Sequence, residues 1–317
     1  IHRADEPGIG RGTKLRFDFL LFAERNFATF GTLRVRRETN LLGSGNTMAQ
    51  QAVEHVRRLR GGAQSHLMRC ADGHYYVVKF QNNPQGIRIL ANEMLAGKLA
   101  QALGLPVARP EVIEVSDWLV EHTPDLYIEW RDGRARCASG FQFGSRYPCD
   151  PLRTPVYDFL PDSLLEAVVN RESFLGMLVF DKWTCNTDSR QTVFYRRQDE
   201  DPPRYAMTMV DQGFCFNANE WTFPDAPLRG LYMRPCVYGA VAGLESFEPF
   251  VSRIEHLDAE ILEEAAASVP PEWYEGRTDE LRELIQTLTE RRSRVARMIL
   301  QLQQSPRQPF PSWRNHA

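Results

Sequence analysis

Two hydrophobic periods divide this chain. Between residues 65 and 145, apolar and polar positions alternate in short runs: SHLMRC, HYYVVKF, EVIEVS, LYIEW and GFQFGS. A two-residue period predicts half-buried strands. Asp72-Gly73 and Asp132-Gly133 lie between such runs, where Asp-Gly is a hairpin signal. One helix interrupts them, GIRILANEMLAGKLAQAL over 86–103, stopped by Gly104 and Pro106. Ahead of them, MAQQAVEHVRRL predicts a short helix over 48–60. From Pro151 the spacing lengthens to three and four residues. LEAVVNRESFLGMLVFDKWTC, FEPFVSRIEHLDAEILEEAAAS and TDELRELIQTLTERRSRVARMILQLQ read as helices, with TVFYRR and YAMTMV as two short strands among them. The last helix takes Thr278 as its N-cap and sets Leu281, Leu284, Ile285, Leu288, Val295, Met298, Ile299 and Leu302 on one side. Arg291, Arg292 and Arg294 are expected on its solvated face.

The expected architecture is α+β and bilobal. A small sheet-rich N-lobe covers 48–150 and a larger, mainly helical C-lobe covers 151–304. The cleft between them is the natural ligand site. Residues 1–47, rich in Arg, Gly, Thr and Asn, are read as a poorly ordered tail or a misassigned start with Met48 as the true one. The other reading is an N-terminal strand or hairpin through FGTLRVRRET. Residues 305–317, with three prolines, are expected to be a disordered tail.

Composition removes several function classes. The chain has 317 residues, 43% apolar and 25% charged, an ordinary globular balance. A net charge of −3 gives no footprint for direct nucleic-acid binding. Six scattered cysteines without a C-x-x-C pair argue against a zinc site or disulfide framework. No apolar run reaches membrane-spanning length, so no membrane partner is expected and the expected location is the cytoplasm.

The remaining signal is a set of charged residues at the ends of elements. On the 86–103 helix, Ile89, Glu93, Ala96, Ala100 and Leu103 share a face. A carboxylate there is costly unless paired. Lys79, ending the preceding strand, is the candidate partner; the alternative puts Glu93 at the stripe's edge, in water. Asp181, Asp188 and Asp211 stand out further along. Asp188 sits in the polar loop CNTDSRQ after a buried helix, and Asp211 ends an apolar strand, followed by Gln212-Gly213. A hairpin of TVFYRR and YAMTMV would bring the two aspartates together. Phosphoryl transfer needs a lysine at the phosphates, oxygen ligands for Mg²⁺ and a carboxylate that orients the attacking hydroxyl. Lys79, Glu93, Asp188, Asn186 or Gln191, and Asp211 supply these in order.

GGAQSHLM, YYVVKF, NEMLAGKLAQALGLPVARPEV, FGSRYP, FDKWTCNTDSRQ and MVDQGFCF together resemble the HipA-like kinase family, with a more distant likeness to phosphoinositide kinases. The resemblance covers roughly residues 50–300 and implies a stand-alone kinase domain with a bilobal protein-kinase-like fold. It implies ATP and Mg²⁺ as cofactors. Lys79 would contact the phosphates, with Glu93 holding it. Gly61, Gly62, Ala63, Gln64 and Ser65 would cover the nucleotide, Asp188 would orient the acceptor and Asp211 would bind metal. The family's D-x-H-x-x-N loop is altered: Arg190 stands for the histidine and Val193 for the metal-binding asparagine. Gln191 or Asn186 is left to supply an amide oxygen. The expected activity is ATP- and Mg²⁺-dependent phosphotransfer to a hydroxyl, first a protein Ser or Thr, with the acceptor itself, a protein or a small molecule, unknown. The alternatives are a nucleotide-binding pseudokinase or regulatory module, and a protein adenylyltransferase.

Overall fold

The computed structural model describes residues 49–198 and 200–314. The readings of residues 1–47 lie outside the described residues. The N-terminal lobe is a closed barrel of five strands in the order β1 (Gln50–Arg58), β2 (His66–Cys70), β3 (Tyr75–Lys79), β7 (Gly140–Arg146) and β4 (Pro110–Val115). Its neighbours are antiparallel except where β1 meets β4 at Gln50 and Ile113. Between β4 and β7 come α2 (Asp117–His122) and the hairpin of β5 (Tyr127–Trp130) and β6 (Gly133–Arg136).

The helix expected over 48–60 is instead β1. Register shifts between Ala52 and Glu54 and between His55 and Arg57 add residues to β1 opposite β2. Each bulge breaks the two-residue alternation. Inward positions then fall at Ala52, at His55 and Val56, and at Leu59, a spacing that imitates a helix face.

Helix α1 (Arg88–Ala102) lies between the barrel and the C-terminal lobe and is buried almost all round. Gly97 permits its approach to β4, since a Cβ there would stand 3.0 Å from the Pro110 ring. In the C-terminal lobe a three-stranded sheet, β10 (Tyr205–Val210), β9 (Gln191–Arg196) and β8 (Val156–Tyr157), faces the cleft. Behind it, after the short α3 (Asp162–Leu165), runs α4 (Ser173–Trp183), its side chains nearly all buried. Against α4 pack α5 (Phe250–Glu255), α7 (Thr278–Arg291) and α8 (Val295–Gln303), while α6 (Ala259–Ala267) packs against α1 and α7. No helix among the described residues is long and apolar enough to cross a membrane.

Several expectations about the C-terminal end are corrected. The long helix from Thr278 breaks at Arg292–Arg294, and its N-cap position falls on Arg277 rather than Thr278. Arg291 leaves the solvated face and is 1% exposed. Its guanidinium meets the carbonyls of Lys182 and Trp183 and both oxygens of Asp225. The exposed C-terminal carbonyls of α4 draw it inward. Arg292 also turns in, donating to Leu257 O, and Arg294 stays half in water. The segment 305–314 is folded onto the lobe, not disordered. Phe310 is buried, stacks on Trp313 and meets Tyr238 and Phe247 edge-on. Arg314 N donates to Ala242 O at 2.8 Å. Two large aromatic anchors outweigh what the prolines suggest.

Candidate active site

The lobes enclose a cleft of about 1010 Å³. Strand β3 delivers Lys79 to it. The lysine donates to Glu93 Oε1 on α1 and, at 2.7 Å, to Asp211 Oδ1 at the end of β10. Glu93 is 2% exposed and its other oxygen accepts from Gln212 N at 3.0 Å. Of the two readings of Glu93, the structure selects the buried pair. Burial alone would lower the lysine's pKa, but the charges of Asp211 and Glu93 overcome it and hold the ammonium above its usual range. Burial drives Glu93 upward, with Lys79 offsetting only part of it. For Asp211 burial acts the same way, and here Lys79 wins, holding the carboxylate below its usual range.

The segment after β10 is bent and pinned. Asp211 has φ +61°, a left-handed conformation that costs a non-glycine residue energy. Gly213 passes so close to α1 that a Cβ would stand 2.6 Å from Ile89 Cγ2. Beyond it Phe216, Asn217 and Ala218 also have positive φ. Asn92, fully buried on α1, holds this run: its amide donates to the carbonyls of Gly213, Cys215 and Ala218 and accepts from Trp221 Nε1. The sequence shows this anchor only as a polar residue beside Glu93 inside an apolar helix.

Asp188 is exposed at the cleft on the loop after α4 and lines the same cavity as Lys79 and Asp211. Its Oδ1 accepts from Ser189 N at 2.7 Å, and Gln191 Nε2 lies 3.5 Å from its Oδ2. Gln191 also lines the cleft. Asn186 does not: it is 1% exposed, its Nδ2 donates to Asp181 Oδ1 and its Oδ1 accepts from Asp188 N. Buried behind the loop and off the cleft wall, Asn186 leaves the expected metal set and positions Asp188.

Arg190 is the larger surprise. It is buried and forms a two-pronged ion pair with Asp181, while Nη1 donates to Val210 O at 3.0 Å. Burial would lower its pKa, and Asp181 more than restores it. Arg190 therefore ties the Asp188 loop to the strand that carries Asp211. The sequence signal was an Arg nine residues after a helix aspartate, readable only once the chain turns back.

Above the cleft, Gly61, Gly62, Ala63 and Ser65 line the cavity on the turn between β1 and β2. Gly61 takes φ +135°, open to glycine alone at little cost. Gln64 departs from expectation: its side chain turns outward to Arg58 and to the backbone of Glu129. Leu59, Val77, Ala108, Val156 and Val193 form an apolar slot at the inner end, near Tyr147 and Pro148.

The sequence profile described as HipA-like kinase matches residues 52–196. That stretch of the chain is HipA-like. The match spans the barrel, α1, the lobe linker, α4 and β9, and classes the protein with the kinases. No curated protein matches the chain significantly. Among solved structures, a Golgi casein kinase aligns at 10% identity over 81% of this chain and 74% of its own, TM-score 0.46. The same kinase with Mn and ADP bound aligns at 13% over 83% and 73%, TM-score 0.43. The Helicobacter pylori proinflammatory kinase CtkA aligns at 14% over 79% and 96%, TM-score 0.46.

Among the described residues, no three His, Cys, Asp or Glu side chains cluster so as to hold a metal unaided. The cleft instead offers Asp211, its side chain 27% exposed, and the Gln191 amide. That fits Mg²⁺, which takes one or two carboxylates and completes its shell with phosphate oxygens and water. The buried Lys79, the glycine turn and the apolar slot fit a nucleoside triphosphate.

Proposed function

We propose that this protein is an ATP- and Mg²⁺-dependent phosphotransferase whose acceptor is a hydroxyl, a Ser or Thr of another protein. The observation that carries this is the Lys79–Glu93–Asp211 cluster facing Asp188 across one cleft. Lys79 is held charged by two carboxylates and can pass a hydrogen bond to a phosphate oxygen while Glu93 keeps its position. Asp211 and Gln191 would hold Mg²⁺, which supplies neutralising charge between the phosphates. Asp188 is exposed at the cleft, where a carboxylate can accept the proton of an incoming hydroxyl and orient its oxygen. Asn186 and Arg190 keep that loop in register with the Asp211 strand.

A second reading rests on Val193. It faces the cleft with no donor atom, and Asn186 is consumed elsewhere, so the ligand set is sparse. A nucleotide-binding module without transfer satisfies the same geometry. Mass spectrometry of the protein and candidate substrates after incubation with ATP and Mg²⁺ decides. The expected result is a gain of one phosphoryl group, lost in Asp188→Asn while ATP binding persists. Binding without transfer to any protein favours the second reading, and a gain of AMP identifies an adenylyltransferase.

A further inference from the structure

The inner end of the cleft is short of hydrogen-bond donors. Strand β7 ends there and continues through Tyr147-Pro148 into the second lobe, so residues 145–148 form the wall a base would meet. Their N–H groups can be counted. Ser145 is a ladder residue opposite Val77. Arg146 N donates to Arg109 O at 2.9 Å and Tyr147 N to Tyr75 O at 2.7 Å. Pro148 has no N–H at all. The side chains add little: the Arg146 guanidinium is turned to His74 at 2.7 Å, and the Tyr147 hydroxyl is engaged by Arg57. Leu59, Val77, Val156 and Val193 around them are apolar. Ser145 remains, half-buried at the wall, with a hydroxyl that rotates to donate or accept.

We infer that this wall discriminates weakly between purine bases, and that Pro148 is the residue responsible. The inference rests on the nucleotide-binding reading above and concerns which nucleotide is used. Adenine presents an amino donor beside a ring-nitrogen acceptor, and guanine presents ring N–H and amino donors beside a carbonyl oxygen. A backbone N–H in the wall would pair with the adenine acceptor and confront the guanine N–H donor, leaving two donors face to face. A wall with no free backbone N–H and one rotating hydroxyl makes no such distinction. It accepts from the amino or ring N–H of either base, and Ser145 adapts to whichever group stands opposite. An unmade donor contact removes the term that sites built to hydrogen-bond use to reject the wrong analogue. The chain thus takes ATP and GTP as alternative donors.

The test is calorimetric titration of the full chain with the Mg²⁺ complexes of non-hydrolysable ATP and GTP analogues, on wild type and on Pro148→Ala. The expected wild-type affinities lie within roughly tenfold of each other, since a single neutral hydrogen bond amounts to about that factor. Pro148→Ala supplies an N–H and is expected to shift the ratio toward ATP by roughly fivefold to tenfold. A wild-type preference for ATP beyond that tenfold overturns the inference, even if Pro148→Ala does not fold. So does an unchanged ratio in a folded Pro148→Ala. Failure of both nucleotides to bind wild type sinks the nucleotide reading itself, a result distinct from tight, ATP-selective binding.

Discussion

Two buried ion clusters lie on either side of the Asp188 loop, and they are built to opposite rules. Behind the loop, Asp181 and Arg190 balance one charge with one, meet through two hydrogen bonds and are closed to water. Facing the cleft, one lysine meets two carboxylates, and Asp211 keeps part of its surface open. The closed pair has nothing left to bind. The open cluster carries excess negative charge beside a cation, the condition a metal ion with phosphates would complete. Counting buried charges does not separate the two; balance and exposure do.

The lysines repeat the contrast. Lys79 is held charged by two carboxylates. Lys182, next to Asp181 in sequence, is also buried, but its ammonium donates to the carbonyls of Ala226 and Pro227. Burial outweighs the more distant carboxylates and brings its pKa down to about 8. Proximity in sequence to a carboxylate is not pairing.

The sharpest break in the comparison is Arg190→Ala. It leaves Asp181 charged and buried, with an expected loss of about 3–5 kcal/mol in denaturant unfolding. Replacing both partners by Leu and Met should recover most of that loss, because an apolar pair needs no counter-charge. If the single variant is as stable as wild type, the closed pair is not a brace. Asp211→Asn acts on the open cluster and should behave the other way. Activity is expected to fall roughly 10²- to 10³-fold, with a higher Mg²⁺ requirement. Its melting temperature should stay close to that of wild type, because Glu93 still pairs Lys79. An unaltered Mg²⁺ titration would remove Asp211 from the metal site.

Lys182 gives a pH test. The unfolded chain keeps this proton until about pH 10.5, whereas the folded protein gives it up near 8. Between those values the unfolded state binds more protons, so this group makes stability rise with pH. Unfolding of wild type and Lys182→Met across that window should show the difference moving in wild type's favour as pH increases. A constant difference would mean that Lys182 is not strained by burial. The smallest expected effect belongs to Val193→Asn. An amide oxygen at this cleft position should lower the Mg²⁺ concentration for half-maximal activity several-fold; no change would show that the position does not reach the metal.

Much of this was legible beforehand where one residue type suffices. Lys79, Asp188 and Asp211 sit at the ends of strands or in a polar loop, and Asp188 and Asp211 converge because the two strands between them, joined by a turn, pair. The glycine turn was legible because few residues tolerate its backbone. Other assignments failed for identifiable reasons. The bulges of β1 imitated a helix. Gln64 belonged to the right turn, but its side chain found Arg58 and Glu129. Asn186 is an amide near the site, yet whether an amide faces a metal or its own loop depends on what lies behind it.

Local chemistry in the sequence therefore determined most of the elements after residue 65, the two-lobed division and the candidate charges at the cleft, since period, turn chemistry and strand ends act over a few residues. Tertiary structure alone decided the partners: Arg190 with Asp181, Arg291 with Asp225, Asn92 with the strained run after Gly213, and Pro148 at the wall of the slot. Those depend on which charges lose water together, and burial is set by the packing of segments far apart in the chain.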